Sequence, residues 1–194
     1  LTLGAWGDSV TEGYLGEDQG QAQFVRRLQG RFPKAKIRLV TVGWGAHNSL
    51  DFLEAPSGHI RNFSETVLGV RPDLVVSEFV NDGPVDPARI EAGYCRVLAE
   101  FHRIGAEWII LTPHYNSFMA LPRERDIDKD PRAYVGMVRR FTAAHGVALA
   151  DAAERYGRLW RQGIPFSTLM VNAANHPDAR GMAIFADSLM ALFP

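Results

Sequence analysis

Leu74-Val75-Val76-Ser77-Glu78-Phe79-Val80 is an almost unbroken apolar run, introduced by Pro72-Asp73 and interrupted only by Ser77 and Glu78. A strand with one wet face alternates apolar and polar residues. A run that stays apolar in both phases is covered on both faces, as in a parallel sheet flanked by helices. Working outward, Leu1 to Trp6 and Ile37 to Val42 are short and strand-like, the second ended by Gly43-Trp44-Gly45. Trp108 to Thr112 and Val147 to Ala150 follow on the other side. Helical spacing fills the gaps. Phe24, Val25, Leu28 and Phe32 run up to Pro33, and Ile60, Phe63 and Val67 close near Gly69. Asp86-Pro87 caps a helix striped by Ile90, Tyr94, Val97, Leu98, Phe101 and Ile104, with Gly105 as its stop. Asp130-Pro131 opens the next, through Tyr134, Val135, Val138 and Phe141 to His145-Gly146. Ala152 to Gln162 and a stripe from Met182 to Phe193 are the last two, with a loop over Gly163 to Pro177. Alternating strands and helices predict one α/β domain over residues 1–194, with a mostly parallel sheet of about five strands between two helical layers.

The totals agree. The 194 residues are 46% hydrophobic and 22% charged, an ordinary globular balance. A net charge of −1 gives no electrostatic footprint for nucleic acid. No apolar run is long enough to span a bilayer. Cys95 is the one cysteine, so no intrachain disulfide is available, and its place in a helical pattern predicts a buried, small apolar role. The chain opens without Met and directly on a strand, as after trimming of an N-terminal leader, so its compartment is not legible.

Ligands of an open parallel sheet bind past the carboxyl ends of its strands. Past the first lies Gly7-Asp8-Ser9-Val10-Thr11-Glu12-Gly13; past the second, Gly43, Gly45, Ala46, His47 and Asn48. The third leads to Asn81-Asp82-Gly83 and the fourth to Pro113-His114, while Asn172, Asn175 and His176 precede the last helix. Read alone, Gly7 to Gly13 is a strand-to-helix turn with Asp8, Ser9 or Thr11 as N-cap. Read with the rest, a hydroxyl, histidines and amide donors meet on one edge, which is the equipment of acyl transfer. A serine needs a base within hydrogen-bond reach, and an oxyanion needs backbone N–H groups and an amide. Ser9, His176, Gly45 or Ala46, and Asn81 fit these roles.

The same pieces resemble the sequence blocks of the GDSL, or SGNH, hydrolases: Gly7 to Gly13 the first, Val42 to Ser49 the glycine block, Phe79-Val80-Asn81-Asp82 the G-x-N-D block, and His176-Pro177 the end of the D-x-x-H-P block. They occur in family order across nearly the whole chain. The resemblance implies a flavodoxin-like three-layer α/β/α sandwich and esterase, lipase, thioesterase or carbohydrate-deacetylase activity. It implies Ser9 as nucleophile and oxyanion donor, Gly45 or Ala46 and Asn81 as further donors, and His176 as base. No metal or organic cofactor is implied. The chain departs from the pattern in three places. Phe79 replaces the glycine ahead of the Asn-Asp pair, Ala46 stands where the oxyanion glycine usually falls, and Ala173 replaces the acid three residues before the histidine. The acid fixes the imidazole tautomer and stabilises its charged form. Asn172, Asn175, a backbone carbonyl, Asp178 or Glu154 could orient the ring instead, which predicts a Ser-His dyad or an atypical triad.

Other features carry less. Asp126, Asp128 and Asp130 alternate as in a calcium loop but lack its central Gly and terminal Glu, and Asp130 is wanted as a helix cap. His114 is a candidate substrate contact, and His47 fits a structural hydrogen bond. His59, His102 and His145 show no metal-ligand spacing, and Gly7 to Thr11 fails the G-x-S-x-G elbow. Glu78, in an apolar strand, calls either for a buried partner or for a place in the site. The expectation is a serine esterase releasing a small acyl group, such as acetyl, from a small-molecule or carbohydrate ester. An acyltransferase on the same Ser and His, or a non-catalytic binding module, are the rivals.

Overall fold

The computed structural model describes residues 1–13, 15, 18–118, 130–172 and 174–193. In chain order the elements are β1 (Thr2–Gly7), α1 (Ser9–Glu12), α2 (Gly20–Arg31), β2 (Arg38–Gly43), α3 (Ser49–Leu53), β3 (Leu74–Glu78), α4 (Pro87–Ile104), β4 (Glu107–Leu111), α5 (Ala133–His145), β5 (Ala148–Ala150), α6 (Ala152–Arg161) and α7 (Ala179–Met190). The five strands are parallel in the order β2-β1-β3-β4-β5. From β1 the chain steps outward to β2, then crosses back to β3 on the opposite side. The order therefore reverses at β1 and β3, and a crevice opens past the carboxyl ends of those strands.

The double-sided burial expected of β3 is present: all five of its residues are buried. Val75 packs on one face with Trp6, Tyr94, Phe101, Trp108 and Phe141, under α3, α4 and α5. Val76 packs on the other with Leu3, Phe24, Ile109, Tyr156 and Phe185, under α2, α6 and α7. Ser77 is accommodated because Trp108 Nε1 donates to its Oγ at 2.8 Å. Glu78 has no such partner among the described residues.

Two glycines let α1 lie against the strand ends. A Cβ on Gly7 would come within 2.2 Å of Thr11 Oγ1 and 2.3 Å of the Glu78 carbonyl oxygen. One on Gly43 would stand 2.5 Å from Glu12 N. The first turn after β1 is thus pressed onto β2 and β3, where a longer residue would prise it away.

Several local expectations are corrected. Asp130 does not cap α5: the N-cap is Arg132, and Asp130 forms a buried ion pair with it at 2.7 Å. The same guanidinium donates to the carbonyls of Pro113 and His114, so Asp130 is engaged by a local ion pair that is itself anchored to the strand-end segment after β4. Ile60 is exposed, and its expected helix is a single π turn over Ser64–Leu68. Cys95 is exposed because it lies about 100° around α4 from buried Tyr94. Asp126 and Asp128 lie outside the described residues. Among those described, no helix is long and apolar enough to cross a membrane.

Candidate active site

The residues past β1 are ordered by one carboxylate. Asp8 is the N-cap of α1, its Oδ1 accepting from Val10 N at 3.0 Å. Its Oδ2 accepts from Asn81 N at 3.1 Å, tying the turn after β1 to the turn after β3. Ser9 is the first helical residue, where the backbone N–H has no intrahelical acceptor. Its Oγ stands 3.1 Å from His176 Nε2, across 167 residues of sequence. That spacing suits transfer of the hydroxyl proton.

The glycine block is held from three sides. Glu12 Oε2 accepts from Gly45 N at 2.8 Å. His47 N donates to Trp44 O at 3.4 Å, closing a β-turn whose third residue, Ala46, has φ +62°. That is the position of a type II turn that favours glycine. Asn48 caps α3 and exchanges hydrogen bonds with Asp51, a capping arrangement the spacing Asn48-x-x-Asp51 encodes. His47 Nδ1 lies 3.0 Å from Asp51 Oδ2, the structural contact expected of it. The Asn81 amide donates to His47 O at 3.3 Å with one of its two hydrogens.

Beneath Asn81, Asp82 Oδ1 accepts from Ser49 N at 2.7 Å and Oδ2 from Tyr94 OH at 2.9 Å, with Tyr134 OH 2.7 Å further on. Burial pushes the Asp82 carboxyl up to about 7, the nearby Asp8 charge adding to it and the Ser49 and Tyr94 hydrogen bonds opposing. Burial pushes Asp8 up to about 6, against backbone hydrogen bonds and the His176 charge, which pull it down. Glu78 is held well above the ordinary glutamate range by burial, then by Asp8 and Asp82. Both its oxygens are buried without a hydrogen-bond partner among the described residues, which disfavours the charged form. Among the described residues it pairs with no arginine, and it lines neither cavity beside Asn81.

His176 is presented by a turn with different fastenings. Asn172 Oδ1 accepts from the backbone N–H of Asn175 and of His176, each at 2.9 Å. Val171 N donates back to His176 O at 2.8 Å. His114 lies behind this turn, fully buried, its Nε2 2.7 Å from the Asn175 carbonyl oxygen. A carbonyl only accepts, so Nε2 carries the proton. Burial drives the His114 pKa down to about 3 and keeps the ring neutral. The expected substrate contact is corrected: His114 is outside the lining and supports the turn, together with Ser117, whose N donates to Ala174 O at 2.9 Å. Two carboxylates suggested as orienters are engaged elsewhere. Asp178 caps α7 and pairs with Arg180, and Glu154 pairs with Arg158 along α6.

Ser9, Glu12, Leu15, Gly45, Ala46, Asn81, Asn172, Asn175 and His176 line one cavity of about 630 Å³. Asn81 also borders a second, of about 400 Å³, with Pro84, Pro113, Phe118 and Tyr134 among its walls. Every expected catalytic and oxyanion residue is therefore in the first cavity. The sequence reading missed Glu12, the Asp82–Tyr94–Tyr134 chain and the depth of His114. For Glu12 a signal existed, since it lies one helical turn beyond Ser9 and on its face.

The profile of the GDSL-like lipase/acylhydrolase family matches residues 5–184. No curated protein matches the sequence. Similar solved structures include a variant of an acetyl-xylooligosaccharide esterase from Geobacillus stearothermophilus, at 21% identity and TM-score 0.77, covering 98% of this chain and 92% of that one. An acetyl xylan esterase superposes at TM-score 0.76 and 17% identity, with both chains covered fully at 100%. An α/β hydrolase from the metagenome of Lake Arreo, Spain, matches at 0.74 and 20%, covering 98% and 93%. At these identities the likeness is one of fold. Two further variants of the Geobacillus enzyme, described as catalytic mutants, replace an aspartate and a histidine three positions apart. The matching spacing here falls on Ala173.

Proposed function

Because this chain belongs to the GDSL-like lipase/acylhydrolase family and is a hydrolase acting on ester bonds, we propose that Ser9 is its nucleophile and His176 its general base. The observation that carries the reading is the 3.1 Å approach of Ser9 Oγ to His176 Nε2 inside a cavity that also holds the oxyanion donors. His176 takes the Ser9 proton as Oγ attacks the ester carbonyl. The developing oxyanion is met by the Ser9 N–H, a backbone N–H of the Gly45-Ala46 turn and the second hydrogen of the Asn81 amide. His176 then protonates the leaving alcohol. Water, deprotonated by the same ring, releases the acyl group from Ser9.

The role of the absent acid is divided in this reading. Asn172, His114 and Ser117 hold the turn that aims the imidazole. Asp8 ties the Ser9 turn to the Asn81 turn and so keeps the nucleophile facing the ring. For substrate we propose a small acyl ester, with acetyl on a carbohydrate favoured by the acetyl xylan esterases among the structural neighbours and by the polar wall of Glu12, Asn172 and Asn175. The test is turnover of aryl acetate and of acetylated xylo-oligosaccharides by the wild type and by Ser9→Ala. Hydrolysis that Ser9→Ala abolishes supports the reading; rates that do not depend on Ser9 contradict it. Aryl acetate turnover without deacetylation of any acetylated sugar removes the carbohydrate part alone.

A further inference from the structure

We propose that Glu12 is a positioning residue for the oxyanion site: its carboxylate occupies the Gly45 N–H and so assigns the donor role in this turn to the Ala46 N–H. The inference rests on the reading of Ser9 as nucleophile and adds a residue and a choice of donor to it. Gly45 and Ala46 both border the Ser9 cavity, and both are plausible donors by position. They are not equivalent in the structure. The Gly45 N–H is taken by Glu12 Oε2 at 2.8 Å, while the Ala46 N–H has no protein acceptor among the described residues.

The geometry explains why a glycine and a carboxylate sit together. A Cβ on Gly45 would lie 3.3 Å from Glu12 Oε2, close enough that the carboxylate would have to shift by a few tenths of an ångström, while its 3.5 Å distance to Ser9 Cβ is an ordinary contact. Glu12 is the last residue of the α1 turn that begins with Ser9, and that turn also packs on Gly43. The carboxylate therefore fastens the glycine-block turn to the same short helix that carries the nucleophile. It keeps Ser9 and the turn in register. A fastened Gly45 amide also holds the next peptide, which puts Ala46 at φ +62°, the left-handed conformation that alanine avoids. Without the tether that strain favours rotation of the Gly45–Ala46 peptide, and the donor would swing with it.

The test uses Glu12→Ala and Glu12→Gln, with kinetics on an aryl acetate and amide NMR of the fluorophosphonate adduct of Ser9, whose phosphoryl oxygen stands in for the oxyanion. In the free wild type the Gly45 amide proton is expected downfield, and that shift is expected to vanish in Glu12→Ala. On forming the adduct, the Ala46 amide is expected to move downfield while Gly45 stays. Glu12→Ala is expected to lower kcat tenfold or more with little change in KM and an unchanged melting temperature. Glu12→Gln, which keeps an acceptor oxygen, is expected to recover most of kcat. The proposal is overturned if Gly45 rather than Ala46 responds to the adduct, if Glu12→Ala turns over like the wild type, or if Glu12→Gln is as impaired as Glu12→Ala. Each of those results leaves Ser9 as nucleophile. Failure of Ser9 to form any adduct overturns the nucleophile reading and this proposal with it.

Discussion

The two halves of the site are built from different materials. The half that carries Ser9 is bound together by carboxylates: Asp8 joins the turns after β1 and β3, Asp82 accepts from the first N–H of α3, and Glu12 fastens the glycine block. The half that carries His176 is bound by neutral groups: the Asn172 amide, the un-ionised His114 ring and Ser117. Carboxylate anchors are strong acceptors for backbone N–H groups, but they are costly to bury and they titrate. Amide and imidazole anchors are weaker and indifferent to pH across the neutral range. The titrating groups thus lie around Ser9 and the glycine block, and the turn that presents His176 is fastened by groups that do not titrate near neutral pH.

The largest effect that would sharpen this contrast is expected from Asp82→Ala. It leaves Ser49 N–H and Tyr94 OH buried without their acceptor, which costs about 2–4 kcal/mol. Thermal unfolding should show the loss, and kcat should fall with it because the glycine-block turn leads into α3. An unchanged melting temperature would mean that Asp82 does not hold the turn. His114→Phe is expected next. It keeps the ring among Tyr156 and Phe185 but removes the donor to Asn175 O, at a cost of about 1–2 kcal/mol. Its kcat should drop several-fold while the acid limb of the pH–rate profile stays put, since His114 is neutral down to about pH 3. A displaced limb would show that His114 titrates in the working range.

Glu78→Gln comes third and concerns stability. Glu78, Asp8 and Asp82 all have native carboxyls raised above the unfolded values of 4.5, 3.8 and 3.8. The native state therefore holds more protons than the unfolded chain between the two sets of values, and stability falls as pH rises through that window. For Asp8 and Asp82 the window runs from about 4 up to about 6 and about 7. The contribution is fully present below it and lost above. Glu78→Gln should flatten the fall in melting temperature on going from pH 5 to pH 8 and raise stability at pH 8. A variant with the wild-type slope would show that the Glu78 carboxyl is not raised in the native state. The smallest effect is expected from Ala46→Gly, where relief of the left-handed backbone should raise stability by up to ~1 kcal/mol. A lower melting temperature would mean the turn is not strained.

The sheet was legible because its signal is local: β3 is apolar in both phases, and each strand ends where Gly, Asn or Pro follows. The gathering of Ser9, Asn81 and His176 followed from topology alone, since all three lie past the carboxyl edge. What was hidden depends on depth and on long-range pairing. His114 reads as a loop residue because nothing local tells how far a strand-end side chain sinks under α6 and α7. Asp130 looks like a cap until Arg132 is seen bridging it to Pro113 and His114. Cys95 was misjudged by an arithmetic that was available, one step around α4 from Tyr94. Glu78 announced itself as odd in the sequence, but only the packed sheet shows it near Asp8 and Asp82, with both oxygens unpartnered among the described residues.

The central claim is that the carboxylate-bound half delivers a nucleophile that the neutral half activates. Its most direct test is the rate of fluorophosphonate labelling, with the modified peptide identified, in the wild type and in His176→Ala. The account predicts stoichiometric modification at Ser9 alone and a rate reduced by about 10³-fold or more in His176→Ala. Labelling that misses Ser9, or that proceeds at the same rate without His176, would contradict it.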